Sequence, residues 1–525
     1  MSFTEKNIYE LLPSVYRLRD AEQGGPLKAL IEIIAREAGV TESNIAELYE
    51  NWFIETCQEW VVPYIGDLLG VRGLHTISGS STVSQRAYVA NTLSYRRRKG
   101  IAPVLEQLSL DTTGWRAHVT EFFELLATTQ YMNHIRLHRT VAPDLRKMNQ
   151  LDLVNAAFDT IAHTADVRHI SSLRGKYNIP NIGLLVWRIQ NYPVTLSDTL
   201  KLGCPGSPPD PSAHYYTFSP LGDAMPLFNK PQTETLITHI SEEINVPALL
   251  RRRALYDELE VRRQAIVDGT QPVYNYFDDQ PVIENDASTK KHPVFEIFPD
   301  GSLTPVPPEE ILICNLDKCC VPSKTRAYQQ LQADGTYVVV DMPIKVAVDP
   351  VAGKFVFSEP ATVTTALANY SYGFSGDTGA GTYDRQDSVI EFMELFKATN
   401  VNKKQIGVSK TITSLGSEII VNTISQAIAL WNSAPAGAVW IITIMDNRSY
   451  TEDLDIIIKE KSRLLIVAAS WPVREDPDAF VSIPPRSDGD LGAGNLRPHL
   501  NGNITVKGMP APEDKTGGEL ILNGL

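Results

Sequence analysis

The stretch that decides the N-terminal fold reads NIAELYENWFIETCQEWVVPYIGDLLGVRG over residues 44–73 and VSQRAYVANTLSYRRRKGIAPVLEQLSLDTTGW over residues 83–115. Apolar side chains recur in it at intervals of three and four residues, the spacing that gives an α-helix one apolar face. Glycines interrupt this spacing. Gly100 directly follows the basic run 96–99, and a glycine that follows cations commonly marks the end of a helix. We therefore predict four short helices packed on each other in residues 44–115.

The run ENWFIETCQEWVVPYIGDLLG (residues 50–70), preceded by LLPSVYRLRD (residues 11–20), resembles the phage tail protein I family. It resembles more closely the baseplate wedge protein of extracellular contractile injection systems. The segments FDTIAHTADVRHI and KYNIPNIGLLVWRIQNYPV extend the resemblance to about residue 194. The resemblance implies a structural subunit of a tail-like syringe, and not an enzyme.

The resemblance also implies the partners. In such particles the wedge protein associates with a larger J-like baseplate protein, with other baseplate subunits, with the spike or hub, and with the sheath. The ring that these subunits form changes conformation and triggers contraction. The C-terminal region is a candidate mount for fibres. We expect assembly in the bacterial cytoplasm, in a contractile particle that lysis can release.

Composition narrows the function classes further. A chain of 525 residues is long enough for several domains. Its net charge of −14 argues against a general nucleic-acid binder, which is normally basic. Five cysteines are an odd and sparse set, typical of a reducing compartment. The charged N-terminus is unlike a signal peptide, and no apolar run reaches the ~18 residues of a membrane span.

The expected fold class is α+β and multidomain. We expect a helical wedge domain at residues 1–115, an α+β domain at 116–235, a β-rich domain at 236–400 and the start of a right-handed parallel β-helix at 401–525. In the last domain, short apolar strands separated by Gly and Asn turns repeat about once per coil. No polar capping coil follows the apolar run 520–522, so we expect the natural chain to continue or its ordered part to end there.

Three local predictions concern the elements in between. Residues 27–38 form a helix with Ala29, Leu30, Ile33, Ile34 and Ala38 facing inward. Residues 248–267 form a helix that buries Leu249, Leu250, Leu255, Leu259 and Ile266. Its arginines at 251, 252, 253, 262 and 263 either form a solvated face, the interpretation that we favour, or pair with an acidic neighbour. Residues 346–357 form a hairpin.

Four aromatic residues are candidates for a partner interface, because Trp and Tyr are frequent anchors of binding surfaces. They are Trp52, Phe53, Trp60 and Tyr64. The alternative is that the same side chains form the core of the helical bundle, and the spacing does not choose between the two. A second candidate is the basic run Arg96, Arg97, Arg98 and Lys99. It either contacts an acidic partner or satisfies the carbonyl groups at a helix end.

No catalytic, cofactor-binding or metal site stands out. The cluster Cys314, Cys319 and Cys320 fits no usual zinc spacing, and the glycine-rich loop 373–381 lacks the ending of a P-loop. Because β-helices often carry polysaccharide lyases and hydrolases, two alternatives stay open: a carbohydrate-active enzyme, or a glycan-binding module for fibre attachment. The enzyme would need paired carboxylates, and Asp446, Asp453 and Asp455 are present without a recognisable pairing.

Overall fold

The structure is a computed structural model, and it describes residues 9–72, 85–127, 130–136, 143–164, 176–177, 179–203, 214–232, 234, 238–278, 293–302, 304–317, 321–332, 335–359, 362–398, 402–412, 419–471, 491, 496–509 and 517–525. The chain forms two compact units. One comprises Met1–Leu126, Thr164–Val186 and Thr235–Ser241; the other comprises Ala127–His163, Trp187–Glu234 and Glu242–Leu525. The mixture of helices and strands confirms the α+β class, while the division into four domains stays a prediction.

Helices dominate the described part of the first unit. They are α1 (Ser14–Glu22), α2 (Pro26–Glu50), α3 (Val62–Leu68), α4 (Gln85–Arg97) and α5 (Ala102–Thr113). A two-stranded antiparallel sheet joins β1 (Ala117–Glu121) to β2 (Ile182–Val186). The Asp20 carboxylate accepts from the N–H groups of Leu27 and Lys28 at 2.6 and 3.0 Å, which satisfies the first turn of α2. Gly100 takes a positive φ of 96° just beyond α4, so the predicted stop is confirmed.

The long helix α2 corrects two predictions. Residues 44–50 are its last two turns and not a separate short helix. The predicted inward face is also wrong, because Leu30, Ile33 and Ile34 are 53%, 59% and 50% exposed. Ile31 and Ala35 are buried instead. Since α2 carries apolar side chains on more than one side, spacing alone could not show which side packs.

The second unit begins with strands arranged in three sheets. Their bounds are β3 (Gln190–Asp198), β4 (Leu200–Gly203), β5 (His214–Thr217), β6 (Glu296–Pro299), β7 (Ile311–Ile313), β8 (Thr325–Leu331), β9 (Tyr337–Pro343), β10 (Val346–Asp349), β11 (Lys354–Phe357) and β12 (Ala366–Phe374). The sheet orders are β4-β5-β11-β10-β7, β3-β12-β6 and the pair β8-β9. The antiparallel pairing of β10 with β11 confirms the predicted hairpin.

Two helices belong to the same part of the unit, the short α6 (Met148–Leu151) and the long α7 (Arg252–Asp268). Helix α7 confirms most of the helix predicted at 248–267. Leu250, Leu255 and Leu259 are buried in an aromatic-rich core, as expected, while Leu249 and Ile266 are exposed.

The solvated arginine face that we favoured on this helix is wrong at two positions, since Arg262 and Arg263 are 5% and 0% exposed. Arg263 donates to the Tyr328 hydroxyl at 2.6 Å, to the Ile311 carbonyl at 2.7 Å and to Glu260 at 2.7 Å. Such hydrogen bonds make burial of a guanidinium tolerable.

The C-terminal part of the second unit is built on parallel pairing. It contains α8 (Ile390–Ala398), α9 (Ile424–Asn432), β13 (Lys403–Val408), β14 (Ile420–Val421), β15 (Val439–Ile444), β16 (Ser449–Thr451), β17 (Leu454–Lys459), β18 (Arg463–Ala468), β19 (His499–Asn501), β20 (Ile504–Met509) and β21 (Glu519–Asn523). One sheet has the order β14-β13-β15-β18-β21, and two more pair β16 with β19 and β17 with β20. All of these pairs are parallel. Among the described helices, none combines the length and the apolar character needed to cross a membrane.

Candidate interaction surface

The four candidate aromatic residues lie on the surface. Trp52, Phe53, Trp60 and Tyr64 are 73%, 45%, 56% and 65% exposed. The small core of this region is formed instead by Cys57, Val62 and Val89 with partly buried aliphatic neighbours. The interpretation of these four side chains as bundle core is therefore wrong.

The aromatic side chains form two contacting pairs. The rings of Tyr49 and Phe53 meet edge to face with centroids 5.4 Å apart, and those of Trp60 and Tyr64 do so at 6.2 Å. The Trp60 indole N–H donates to the Gln58 side chain. We call Leu48, Tyr49, Trp52, Phe53, Trp60 and Tyr64 the aromatic surface; Leu48 and Tyr49 join it with 60% and 66% exposure. The sequence patterns did not single out Tyr49, whose ring contacts that of Phe53 only in the folded chain.

The turn that presents this surface is held by Arg86 of α4. Its guanidinium donates to the carbonyl oxygens of Ile54 at 2.8 Å and Cys57 at 2.6 Å, and forms an ion pair with Glu59 at 2.9 Å. These bonds tie the non-helical segment between α2 and α3 to α4. The turn that connects the α2 and α3 parts of the aromatic surface is thus fixed, which limits the ordering entropy lost when a partner binds.

The basic run divides into two parts. The Arg96 guanidinium donates to the carbonyl oxygens of Leu69 at 2.6 Å and Gly70 at 3.1 Å. It therefore satisfies the end of α3, and not of its own helix. Arg97, Arg98 and Lys99 are exposed. The helix-end interpretation thus describes Arg96, and the partner interpretation stays open for the other three.

The carboxylates considered for an enzyme have separate surroundings. Asp446 is buried and accepts from the Ser409 hydroxyl at 3.0 Å, the Lys410 N–H at 2.6 Å and the Tyr450 hydroxyl at 2.8 Å. Burial first, and the Asp446 charge second, raise the pKa of Tyr450. Asp453 accepts from the Asn503 N–H at 2.7 Å, and Asp455 lies 3.6 Å from Lys507. Each carboxylate thus stabilises a local segment or an ion pair.

The remaining candidates for chemistry are the cysteines and the glycine-rich loop 373–381. The Cys57 thiol is buried and that of Cys314 is half-buried, while Cys319 and Cys320 lie outside the described residues. Within the described part of the chain, no group of three or more His, Cys, Asp or Glu side chains is placed to hold a metal ion. In the glycine-rich loop, Asp377 accepts from the Tyr192 hydroxyl at 2.8 Å, and the carbonyl of Gly379 accepts from Arg385 at 3.3 Å. These contacts brace the loop.

Comparison of the chain with protein-family models, with curated proteins and with solved structures finds no match. The relationship to baseplate wedge proteins therefore stays a prediction from the sequence segments themselves. What the geometry adds is an exposed apolar and aromatic surface, presented by a turn that three main-chain and side-chain contacts of Arg86 hold in place. An exposed apolar surface of this kind is a candidate for binding to another macromolecule.

Proposed function

We propose that the chain is a structural subunit of the baseplate wedge in a contractile, phage-tail-like injection particle. The observation that carries the proposal is the exposure of the aromatic surface. Exposed patches of apolar side chains commonly mark a surface that a partner covers. Trp and Tyr contribute strongly to binding. The same residues lie within the segment 11–71, where the resemblance to wedge proteins is densest.

The proposed partner of this surface is the larger J-like baseplate protein. Arg97, Arg98 and Lys99 supply positive charge at the end of α4, within a chain whose net charge is −14. A partner with an acidic rim beside an apolar centre would fit such a combination, because charge complementarity guides association and register. The spike or hub and the sheath are the further partners expected in the ring. We propose no bond chemistry for this chain; its mechanism is a conformational change of the assembled ring.

We also propose that the C-terminal part begins a right-handed parallel β-helix that acts as a spacer or a fibre mount. The strand order supports it. Strands β15, β16 and β17 follow each other in the chain and belong to three different sheets. Strands β18, β19 and β20 follow in the same order and pair with them in parallel. One strand per sheet and per coil is the arrangement of a three-sided solenoid.

The binding test uses the whole chain co-expressed with a J-like baseplate protein. Trp52→Ala combined with Trp60→Ala should reduce capture of the partner at least tenfold, because truncating interface anchors commonly costs about 2 kcal/mol or more each. The matched control is Tyr131→Ala, a residue of similar exposure at 70% that lies outside the aromatic surface. Unchanged capture by the double variant, with circular dichroism showing an intact fold, would refute the proposed surface.

A second variant tests the charge contribution. Reversal of Arg97, Arg98 and Lys99 to Glu should slow association and remove most of its salt dependence, since rim charges act mainly on the association rate. Arg96 is left in place because it stabilises the bundle. Association that keeps its rate and its salt dependence would show that the run does not face the partner.

A further inference from the structure

Strand β9 is an open edge. Its sheet has two strands, and among the described residues β8 alone pairs with it. The Gln332 N–H donates to the Thr336 carbonyl at 2.8 Å and the Ile344 N–H donates to the Lys324 carbonyl at 2.8 Å. Along an antiparallel ladder, residue pairs that exchange main-chain hydrogen bonds alternate with pairs whose N–H and C=O groups point away from the partner strand. These two bonds therefore fix which N–H and C=O groups point away from β8, namely those of Tyr337, Val339 and Asp341.

The two faces of this hairpin differ sharply. On the inner face Tyr328 is buried, and its hydroxyl accepts from Arg263 of α7. On the outer face Leu331, Tyr337 and Val339 are 59%, 66% and 62% exposed. An exposed, apolar edge strand is a ready template for pairing with another strand, and proteins usually blunt such an edge with charge, proline or cover. Here Asp341 is the one charged side chain along β9.

We propose that the partner of this edge is a second copy of the chain, with the two β9 strands antiparallel about a two-fold axis at Val339. Val339 then faces Val339 of the second copy, and Tyr337 faces Asp341 at both ends. Each of these pairs exchanges both main-chain hydrogen bonds, because its N–H and C=O groups are the outward ones. The two hairpins become one continuous four-stranded sheet. The proposal does not depend on the baseplate function.

Charge and chain geometry favour this register over its neighbours. A two-fold axis at Asp341 would set two carboxylates opposite each other, which is destabilising. An axis at Val338 would leave only two residue pairs within β9 that exchange main-chain hydrogen bonds, whereas an axis at Val339 gives three. An axis at Val340 would set the apolar Val339 opposite the charged Asp341. With the axis at Val339, Pro343 falls opposite Gly335 of the second copy, where a residue without an N–H ends the ladder naturally. The edge is thus complementary to itself.

The helices leave room for this sheet. Helix α7 lies against β8 and not against the open edge: its Arg263 bonds Tyr328, and its Gln264 donates to the Gln329 carbonyl at 2.9 Å. In the joined sheet the two β8 strands are three strand spacings apart, about 14 Å. Packed helices need only about 8–10 Å between their axes. The half-exposed Val338, on the inner face, would be covered in the space between the two helices.

The test measures the mass of the full chain by light scattering at micromolar concentration. The wild-type chain should have twice the mass of one copy. Val339→Lys and Val339→Asp should each return it to the mass of one copy, since each variant places like charges opposite each other at the axis. Equal amounts of the two variants, mixed, should restore the double mass, because the introduced lysine of one copy would then face the introduced aspartate of the other.

The matched control is Gln329→Lys. Gln329 lies directly opposite Val339 on β8 and its side chain shares the outer face, but it is one strand away from the edge. This variant should keep the double mass. A wild-type chain with the mass of one copy would overturn the proposal. So would a double mass that survives both Val339 variants, or two variants that lose it and do not recover it on mixing. Circular dichroism checks that every variant is folded.

Discussion

The Arg96 guanidinium and the Leu69 carbonyl oxygen are 2.6 Å apart, so the end of α4 is bonded to the end of α3. A second bond reaches Gly70 at 3.1 Å. The last carbonyls of a helix lack partners within the helix, and here a cation from the next helix supplies one. The first member of the basic run therefore belongs to the internal structure of the first unit, while the other three members remain available to a partner.

Replacing Arg96 should weaken this unit. Arg96→Ala removes two charge-assisted bonds at an exposed site, and we expect a loss of about 1 kcal/mol in the free energy of unfolding. Hydrogen exchange of the α3 and α4 amides measures it. Arg98→Ala is the matched control, because Arg98 is exposed and on the same turn. Equal protection of the amides in both variants would show that the bonds to Leu69 and Gly70 contribute nothing.

The sequence was sufficient for local structure where a single physical cause decided it. Gly100 ends α4 because the chain needs a positive φ there, and the hairpin 346–357 follows from two apolar segments around a tight turn. It was not sufficient for the packed side of α2. That helix has apolar residues on several sides, and only the contact with its neighbours selects Ile31 and Ala35.

The candidate surface could be predicted only in part. Trp52 and Trp60 were found because large aromatics are conspicuous, but their exposure depends on which small residues fill the core beneath them, here Cys57 and Val62. The buried arginines were missed for a related reason. Arg263 is buried because Tyr328 and Glu260, one of them far away in the chain, converge on it. Spacing within one helix contains no information about such partners.

The ion pair between Arg252 and Asp349 should contribute strongly to the second unit. Asp349 is fully buried and accepts from the guanidinium at 2.7 and 2.9 Å and from the Leu316 N–H at 3.1 Å. The Arg252 side chain is 34% exposed, so the carboxylate is the buried partner. Asp349→Asn should destabilise β10 and β11 by about 3 kcal/mol, because it removes the charge that balances the guanidinium and one acceptor of its hydrogen bonds. Hydrogen exchange of the strand amides is the measurement.

The control for this pair is Glu359→Gln. Glu359 pairs with Lys324 at 2.7 Å, but both side chains are more than half exposed, at 51% and 69%. An exposed pair of this kind contributes under about 1 kcal/mol, so protection should hardly change. If the two substitutions lowered amide protection by similar amounts, burial would not explain the contribution of Asp349 to stability.

Glu106 should make the first unit sensitive to acid. Burial alone would raise the pKa of Glu106, but hydrogen bonds from His118, Val119 and Ser241 outweigh burial and hold it below the ordinary value of 4.5. The folded state therefore binds the proton less tightly than the unfolded state. The resulting stability is fully present above the unfolded pKa and is lost as the pH falls through the folded pKa.

A pH series separates this contribution from others. The wild-type unit should lose amide protection around β1 as the pH falls below about 4.5, the range set by an ordinary glutamate. Glu106→Gln should be about 2 kcal/mol less stable at neutral pH, since a charged acceptor is lost, and should change less with acid. If Glu106→Gln lost amide protection with acid as strongly as the wild-type chain does, the acid sensitivity would come from other carboxylates.

A substitution at Gly502 tests how closely the segments of the C-terminal part approach each other. A Cβ atom there would lie 2.1 Å from the Glu452 carbonyl oxygen and 2.7 Å from its carbon, in the main chain of the neighbouring segment. The Glu452 N–H meanwhile donates to the Asn501 carbonyl at 3.1 Å, which keeps the two segments together. Gly502→Ala should therefore push β19 and β20 away from β16 and β17, at a loss of about 2 kcal/mol.

Gly508 is the matched control for this substitution. It lies in β20, and a Cβ atom there would meet nothing within 4 Å. Because alanine restricts the unfolded chain more than glycine, Gly508→Ala should leave stability unchanged or raise it by about 0.5 kcal/mol. Thermal unfolding together with hydrogen exchange of the paired strands distinguishes the two variants. Equal effects would mean that the close approach at Gly502 does not decide the spacing of the segments, and the proposal of stacked coils would lose its tightest contact.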